Sequence, residues 1–247
     1  MKQHAETQKE GPAARIIVAL DVDNEAEAYQ LVRLLSPPVR YFKVGMRLFT
    51  ACGPRILKTL KKMGVKIFLD LKFHDIPHTV ASTAQVVTAY GVDMFNIHLS
   101  GGREMICSTV EAVRETAAKQ GLTPPLIIGV TVLTSFDEKA LFEEAGIKNK
   151  LPRHVVHLAS LGAENGMDGV VASPREAEAI RDKCGENFLI VTPGIRPLWS
   201  VKDDQQRVLA PAQALKAGAD YLVIGRPIIR HSSPKEAVKK ILAEISK

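Results

Sequence analysis

The sequence lacks the features that mark several classes of protein. It has only three cysteines, Cys52, Cys107 and Cys184, which lie far apart without a CxxC pair or a Cys/His spacing typical of zinc sites. They predict neither a disulfide framework nor a structural metal, so a reducing cytoplasm is the expected compartment. No apolar run is long enough to span a membrane, and residues 1–14 contain no apolar stretch resembling a signal peptide. We therefore expect no membrane partner.

Aromatic side chains are scarce as well, at 5% of the residues, although the formal net charge is +6. Nucleic-acid-binding surfaces usually combine clustered Lys and Arg with aromatic side chains, whereas the basic residues of this chain are scattered. A phosphorylated small molecule therefore fits the positive charge better than a nucleic acid does. No nucleic-acid partner is expected.

What the sequence does contain is a repeated pattern of strand and helix. From Arg15 onward, short apolar runs rich in β-branched residues alternate with segments of helical periodicity, which is typical of serial βα units. Eight such runs end near residues 20, 45, 71, 98, 132, 172, 192 and 224. The pattern predicts an α/β fold, a single-domain (β/α)8 TIM barrel with eight parallel strands over residues 15–247, after a flexible tail of residues 1–14.

An open doubly wound sheet is the alternative architecture. Such a sheet usually has fewer strands and a glycine-rich turn after the first one. The corresponding residues here are Asp21-Val22-Asp23-Asn24, which contain no GxGxxG fingerprint. The barrel is therefore favoured.

Residues 67–77, with the sequence IFLDLKFHDIP, combine an apolar strand with an abrupt run of charges. Strand side chains alternate between faces, so Asp70 and Lys72 are expected to point the same way, with Asp75 just beyond, where Pro77 can open a helix. Charges in an apolar setting are costly and usually exist because they pair or take part in chemistry. Ordinary charges in a solvated loop are the alternative interpretation.

The carboxyl ends of the strands meet at one face of a parallel barrel, where active sites form. The predicted strand ends carry mostly charged and polar residues: Asp21, Lys43, Asp70 with Lys72, His98, Thr131, Ser173, Arg196 and Arg226. Alternating lysines and aspartates keep each charge paired, which favours a cationic lysine acting as a general acid. The sequence shows no metal-ligand cluster and no cofactor motif, so we expect no metal and no cofactor.

A phosphate site is predicted after the last two strands. Gly194-Ile195-Arg196 follows the seventh strand and Gly225-Arg226 follows the eighth, where barrels commonly bind phosphate. Guanidinium groups suit phosphate because they donate hydrogen bonds in pairs. Gln205, in the loop after the seventh strand, could reach the same group or be an ordinary loop amide.

Taken in order, these motifs resemble those of the orotidine 5'-phosphate decarboxylase family over essentially the whole chain after the tail. The resemblance rests on Asp21, Lys43, DLKFHDIP at residues 70–77, PGIR at residues 193–196, Gln205, and IGRPI at residues 224–228. It implies a carboxy-lyase of pyrimidine biosynthesis that converts orotidine 5'-phosphate to uridine 5'-phosphate and CO2 without a cofactor.

The resemblance also implies residue roles. Lys72 would protonate C6 of the pyrimidine, Asp70 would face the substrate carboxylate, and Lys43 would bridge Asp70 and the ribose. Further substrate contacts would come from Asp21 at the ribose, Thr131 at the pyrimidine, Pro193, and a phosphate group of residues, Arg196, Gln205, Gly225 and Arg226. The family is typically a homodimer, in which Asp75 and Thr79 would enter the partner's site.

Two alternatives come from other functional classes. Metal-dependent sugar-phosphate decarboxylases and aldolases of the same suprafamily share the Asp-x-Lys-x-x-Asp motif, but they place a Glu metal ligand where this chain has Lys43. A lysine there would repel magnesium. A non-catalytic barrel that binds phosphate or RNA is the second alternative, although binding alone does not need two carboxylates beside an anionic ligand.

Overall fold

The computed structural model describes residues 11–200 and 209–246. Its strands form a closed barrel in which each strand pairs in parallel with its sequence neighbours and the last pairs with the first, so the predicted fold is confirmed. The strands are β1 (Ile16–Ala19), β2 (Tyr41–Gly45), β3 (Lys66–Phe73), β4 (Met94–His98), β5 (Leu126–Val130), β6 (Gly169–Val171), β7 (Leu189–Thr192) and β8 (Tyr221–Ile224).

Helices connect the strands on the outside of the barrel. In the described chain they are α1 (Glu25–Leu35), α2 (Met46–Cys52), α3 (Arg55–Lys62), α4 (Pro77–Ala89), α5 (Gly102–Gln120), α6 (Glu138–Glu143), α7 (Leu151–Glu164), α8 (Ala177–Cys184), α9 (Pro211–Lys216), α10 (Arg226–Ile229) and α11 (Pro234–Ile245). Most of the predicted tail lies outside the described residues, whereas Pro12–Arg15 forms a 3-10 turn in which Ala14 is buried. Within the described ranges, none of the helices has the length and apolarity needed to cross a membrane.

The strands are apolar along their length because both of their faces are covered. One face packs against the helices, where a continuous layer of aliphatic side chains lies. The other face fills the barrel interior with a smaller cluster that includes Phe68, Met94 and Ile128, and Tyr41 meets Tyr221 edge to face at a centroid distance of 5.6 Å. The interior is therefore a packed core.

A repeated set of hydrogen bonds closes the amino-terminal end of the barrel. An aspartate just before β4, β6 or β8 accepts a bond of 2.8 Å from the N–H of an isoleucine in the preceding strand. The N–H of the same aspartate donates to that isoleucine's carbonyl oxygen, at 3.0, 3.1 and 2.9 Å in turn. We call these the aspartate clasps: Asp93 with Ile67, Asp168 with Ile127, and Asp220 with Ile190.

Basic side chains from the helices accompany the clasps. Lys61 of α3 lies 3.0 Å from Asp93, and Arg181 of α8 lies 2.7 Å from Asp220. The Arg181 guanidinium also donates to the carbonyl oxygens of Gly185, Glu186, Phe188 and Gly218. The clasps thus join helices as well as strands at the end of the barrel opposite the predicted site.

Candidate active site

A cavity of about 240 Å³ opens at the carboxyl ends of the strands. Eight of the residues that the sequence predicts for the site line it: Asp21, Lys43, Asp70, Lys72, Pro193, Arg196, Gly225 and Arg226. The remaining wall is largely apolar and includes Phe68, Val130, Val132, Leu133 and Val223. A polar floor within apolar walls is the usual composition of a small-molecule site.

Four of these side chains form a chain of alternating charges. The Lys43 Nζ atom lies 3.3 Å from Asp21 Oδ1 and 3.3 Å from Asp70 Oδ2. The Lys72 Nζ atom lies 2.7 Å from Asp70 Oδ1. The array is accessible at its ends, since Asp21 is 44% exposed and Lys72 27%, whereas the Asp70 side chain between the two lysines is 13% exposed.

The burial of Lys43 and Asp70 is offset by their neighbours. Burial opposes the charged form of Lys43, but Asp70 and Asp21 outweigh it and raise the pKa of the ammonium group. Burial likewise opposes the charge on Asp70, but Lys43 and Lys72, with the hydrogen bonds from Lys72 and Asn96, lower the pKa of its carboxyl group. Both groups are therefore charged at neutral pH.

The backbone at Lys72 departs from regular strand geometry. Lys72 has φ of 54°, and the pairing of β3 with β4 shifts register between Leu69 and Phe73, as in a β-bulge. The Lys72 N–H donates to Asn96 Oδ1 at 2.8 Å, and Asn96 Nδ2 donates to Asp70 Oδ1 at 2.7 Å. Simple alternation correctly predicts that Asp70 and Lys72 meet, but it predicts neither the bulge nor the contribution of Asn96.

The two predicted arginines also line the cavity. Arg196 and Arg226 are both half-buried and follow β7 and β8, as predicted. A side chain at Gly225 would bring its Cβ to 3.1 Å from Asp21 Oδ2, so the backbone approaches the site closely there. The Arg196 N–H donates to Leu209 O at 3.0 Å, which joins the two edges of the segment that contains Gln205. Gln205 itself lies outside the described residues.

Three predicted residues do not line this cavity in the single chain. Thr131 is buried between cavity-lining neighbours, and its hydroxyl donates to Val171 O at 2.9 Å. Asp75 and Thr79 are exposed at the start of α4, where Asp75 Oδ1 accepts a bond of 2.7 Å from the Ile76 N–H. Their position leaves both side chains available to a neighbouring molecule.

His98, whose role the sequence leaves open, is half-buried beside His74, with a centroid distance of 5.2 Å between the rings. Burial lowers the pKa of His98, and the nearby His74 and Lys72 lower it further. The imidazole is therefore neutral at physiological pH. Among the described residues, no group of three or more His, Cys, Asp and Glu side chains is arranged to hold a metal ion.

Comparison with known proteins gives consistent matches. The model of the Orotidine 5'-phosphate decarboxylase / HUMPS family matches residues 14–241. The orotidine 5'-phosphate decarboxylase of Syntrophomonas wolfei is 52% identical over 232 residues, covering 94% of this chain and 97% of that protein. The one from Moorella thermoacetica is 52% identical over 231 residues, covering 94% and 92%. The crystal structure of orotidine 5'-phosphate decarboxylase from Lactobacillus acidophilus aligns with a TM-score of 0.83 at 36% identity, covering 94% of this chain and 99% of that one.

The closed barrel and its lysine–aspartate array define a (β/α)8-barrel enzyme with its site at the carboxyl ends of the strands. Barrels of this class differ in chemistry through the residues at those ends. This chain belongs to the orotidine 5'-phosphate decarboxylase / HUMPS family, and it is a carboxy-lyase of pyrimidine biosynthesis. The resemblance inferred from the sequence motifs is therefore confirmed.

Proposed function

We propose that the protein decarboxylates orotidine 5'-phosphate to uridine 5'-phosphate and CO2 without a metal or an organic cofactor. The observation that carries the proposal is the array Asp21–Lys43–Asp70–Lys72, held in one cavity with Arg196 and Arg226. The relatives that share half of its sequence carry the name of this activity. A nucleotide with a phosphate and a carboxylate needs several cations, and the cavity supplies two lysines and two arginines.

Lys72 is the proposed proton donor. When the bond between C6 and the carboxylate breaks, the electron pair stays on C6 in the plane of the pyrimidine ring, where the π system cannot delocalise it. The Lys72 ammonium then transfers a proton to C6 and becomes a neutral amine, which water reprotonates after product release. The contact of 2.7 Å with Asp70 supports this role because it holds the ammonium group at the cavity floor.

Asp70 and Lys43 provide the fixed charges around that step. Asp70 stays ionised because its neighbours lower its pKa, so it would lie as an anion against the substrate carboxylate. Loss of CO2 removes the repulsion, and the Lys72 cation faces the developing negative charge at C6. Lys43 would bridge Asp70 and the ribose, and Asp21 would accept hydrogen bonds from the ribose hydroxyls.

The phosphate would bind beside the two arginines. Arg196, Gln205 and Arg226 are the proposed side-chain partners, and the backbone of Gly225 approaches closely enough to add to them. Pro193 and Thr131 are the proposed contacts of the pyrimidine side. Binding energy from the phosphate can then hold the reacting ring against Lys72, as expected where no covalent catalysis is available.

We also propose a homodimer in which Asp75 and Thr79 enter the partner's site. Both are exposed on the segment that follows the catalytic strand. Ile76, which follows Asp75 in the chain, is 67% exposed, and a large apolar side chain beside these two polar residues suits a subunit contact. The three free cysteines support a cytoplasmic location for the enzyme.

The metal-dependent alternative is disfavoured by Lys43. Its ammonium lies between two carboxylates at 3.3 Å from each, so it is the cation that neutralises them. A divalent metal ion beside these carboxylates would be repelled by the Lys43 ammonium. The metal-dependent enzymes of the suprafamily would have a Glu ligand at this position instead. This geometry supports electrostatic stabilisation by lysine over Lewis-acid chemistry.

An ultraviolet assay tests the function directly. The loss of orotidine 5'-phosphate absorbance is followed with excess chelator present, for the wild-type protein and for Lys72→Ala as the matched control. We expect full turnover by the wild type and almost none by the variant, which should still bind uridine 5'-phosphate. No turnover by folded wild-type protein, or turnover that depends on added magnesium, would contradict the proposal.

A further inference from the structure

Asn96 is a polar side chain in a place where sequence gives no obvious reason for one. It lies in the middle of β4, is 0% exposed, and is flanked by the apolar residues Phe95 and Ile97. A buried amide is costly unless all of its polar atoms are hydrogen-bonded. An amide buried at this position therefore needs a hydrogen-bond donor for its oxygen and an acceptor for its NH2 group.

Those partners are the two residues proposed to carry the chemistry. The Lys72 N–H can only donate, so the Asn96 oxygen must face it, and the bond length is 2.8 Å. The Asp70 carboxylate can only accept, so the Asn96 NH2 group must face it, at 2.7 Å. The two contacts together fix the orientation of the amide.

The backbone conformation of Lys72 explains why these two hydrogen bonds of Asn96, which we call the Asn96 clamp, are needed. Lys72 is the one non-glycine residue of the described chain with positive φ, a conformation that L-residues rarely adopt without support. The bulge at this point interrupts the regular pairing of β3 with β4. Asn96, which belongs to β4, supplies the acceptor for the Lys72 N–H through its side chain.

We propose that Asn96 is a positioning residue that holds the Asp70 carboxylate and the Lys72 backbone in their reactive arrangement. Asn96 does not line the cavity, so it acts through its two partners and not on the substrate. The inference rests on the proposed function, because it takes Asp70 and Lys72 as the reacting pair.

The hydrogen bonds that the Asp70 carboxylate accepts indicate what the Asn96 clamp would do during turnover. Oδ1 accepts from Lys72 Nζ and from Asn96 Nδ2, and Oδ2 faces Lys43. When Lys72 has given its proton to C6, its hold on Asp70 weakens. The Asn96 bond carries no transferable proton and persists, so the carboxylate keeps its place until Lys72 is charged again.

The test uses two variants and one control. Asn96→Leu keeps the same branching of side-chain heavy atoms and removes both hydrogen bonds, whereas Asn96→Asp keeps an acceptor for Lys72 but places a second carboxylate against Asp70. Thr109→Val is the matched control, because Thr109 is also 0% exposed and loses its bond to Met105 O within α5, away from the site.

We expect Asn96→Leu to lower kcat by about 100-fold, because small misplacements of reacting groups cost that much. The KM and the Kd for uridine 5'-phosphate should change less than about threefold, since the phosphate side is untouched. In Asn96→Asp, the two adjacent carboxylates should share a proton, so the acid limb of the kcat profile moves to higher pH. Thr109→Val should retain the wild-type kcat and pH profile.

Each result separates the two proposals. Wild-type protein without decarboxylase activity would overturn the proposed function. If the wild type is active and the Asn96 variants keep its kcat, the role of Asn96 alone is overturned. The same holds if the variants lose kcat equally at every pH and lose product binding as well. If Asn96→Leu does not fold, the pH profile of Asn96→Asp decides, and an unshifted acid limb counts against the proposal.

Discussion

The floor of the cavity holds two cations and two anions, and its net charge is zero before substrate arrives. Lys43, at 9% exposure, is the most deeply buried of the four charged residues. Removing one partner of a buried ion pair leaves an uncompensated charge, which is far more costly than the pair itself is worth. The array therefore constrains all four residues together, and a change at one alters the charge state of the others.

The proposed roles of Arg226 in binding and of Lys72 in proton transfer can be separated kinetically. We expect Arg226→Ala to raise KM and to lower kcat/KM by about 10- to 150-fold, because a hydrogen bond to a charged group contributes about 1.5–3 kcal/mol. Lys72→Ala should instead abolish turnover with product binding retained, since the proposed proton transfer from Lys72 takes place only in the chemical step. Steady-state kinetics and calorimetry with uridine 5'-phosphate measure the two effects. An unchanged KM in Arg226→Ala would remove this residue from the phosphate site.

Most site residues are predictable because they sit at strand ends, where topology alone brings them together. Lys43 and Arg226 are examples, since Lys43 lies in the second half of β2, Arg226 lies two residues beyond the end of β8, and both line the cavity. Asn96 is not predictable in this way, because its importance depends on a bulge in the neighbouring strand. Local sequence does not report that register shift, and a single amide within an apolar strand has no spacing signal of its own.

At the level of strands and helices, the apolar runs predict the ends of β2, β4, β7 and β8, which finish at residues 45, 98, 192 and 224. β3 continues to Phe73, beyond the predicted end near residue 71, because Phe73 pairs with Ile97 after the bulge. The short helices α2 and α10 are absent from the sequence prediction. A segment of a few residues, such as Arg226–Ile229, forms through its tertiary setting and carries too little periodicity to be recognised.

The aspartate clasps predict opposite effects for two matched substitutions. Burial raises the pKa of Asp168, although the Ile127 hydrogen bond and Arg114 oppose the shift, so its ionised form reduces stability at neutral pH. An asparagine oxygen can still accept the Ile127 N–H. We therefore expect Asp168→Asn to raise the Tm at about pH 8, with the gain shrinking as the pH falls and the wild-type carboxyl takes up its proton.

Asp220→Asn is the matched counterpart. Asp220 is almost fully buried and forms an ion pair of 2.7 Å with Arg181, whose side chain is 12% exposed. Neutralising it removes the buried partner of the guanidinium, because the other carboxylate near Arg181, that of Glu186, is 3.9 Å away and 80% exposed. We therefore expect a loss of about 3 kcal/mol in the free energy of unfolding. Thermal melts and denaturant titrations from about pH 8 to pH 4.5 compare both variants with the wild type. Equal destabilisation by both substitutions would contradict this prediction, because it would show that the ionised Asp168 carboxylate stabilises the fold.

For the whole molecule, the proposed dimer makes a prediction about mixtures of inactive proteins. In a heterodimer of Lys72→Ala and Asp75→Ala chains, one of the two sites keeps Lys72 from its own chain and Asp75 from its partner. Random exchange at equal concentrations should therefore restore about one quarter of the wild-type activity. The assay is turnover after subunits have been exchanged and the exchange verified by mass labelling.

A second mixture provides the control for that experiment. Lys72→Ala mixed with Lys43→Ala should stay inactive, because both lysines belong to the same site and every site then lacks one of them. Recovery in this control would point to contamination or to a different arrangement of the sites. Continued inactivity of the first mixture after verified exchange would assign Asp75 to its own chain.

The aspartate clasps also bear on how such a barrel can acquire new chemistry. They recur at β4, β6 and β8 with the same bonding, so the amino-terminal end is held by one device used three times. The residues proposed to react lie at the opposite end and share no side chain with it. Substitutions that redirect catalysis can therefore accumulate at one end while the bonds that close the barrel are inherited unchanged, which makes this architecture tolerant of functional divergence.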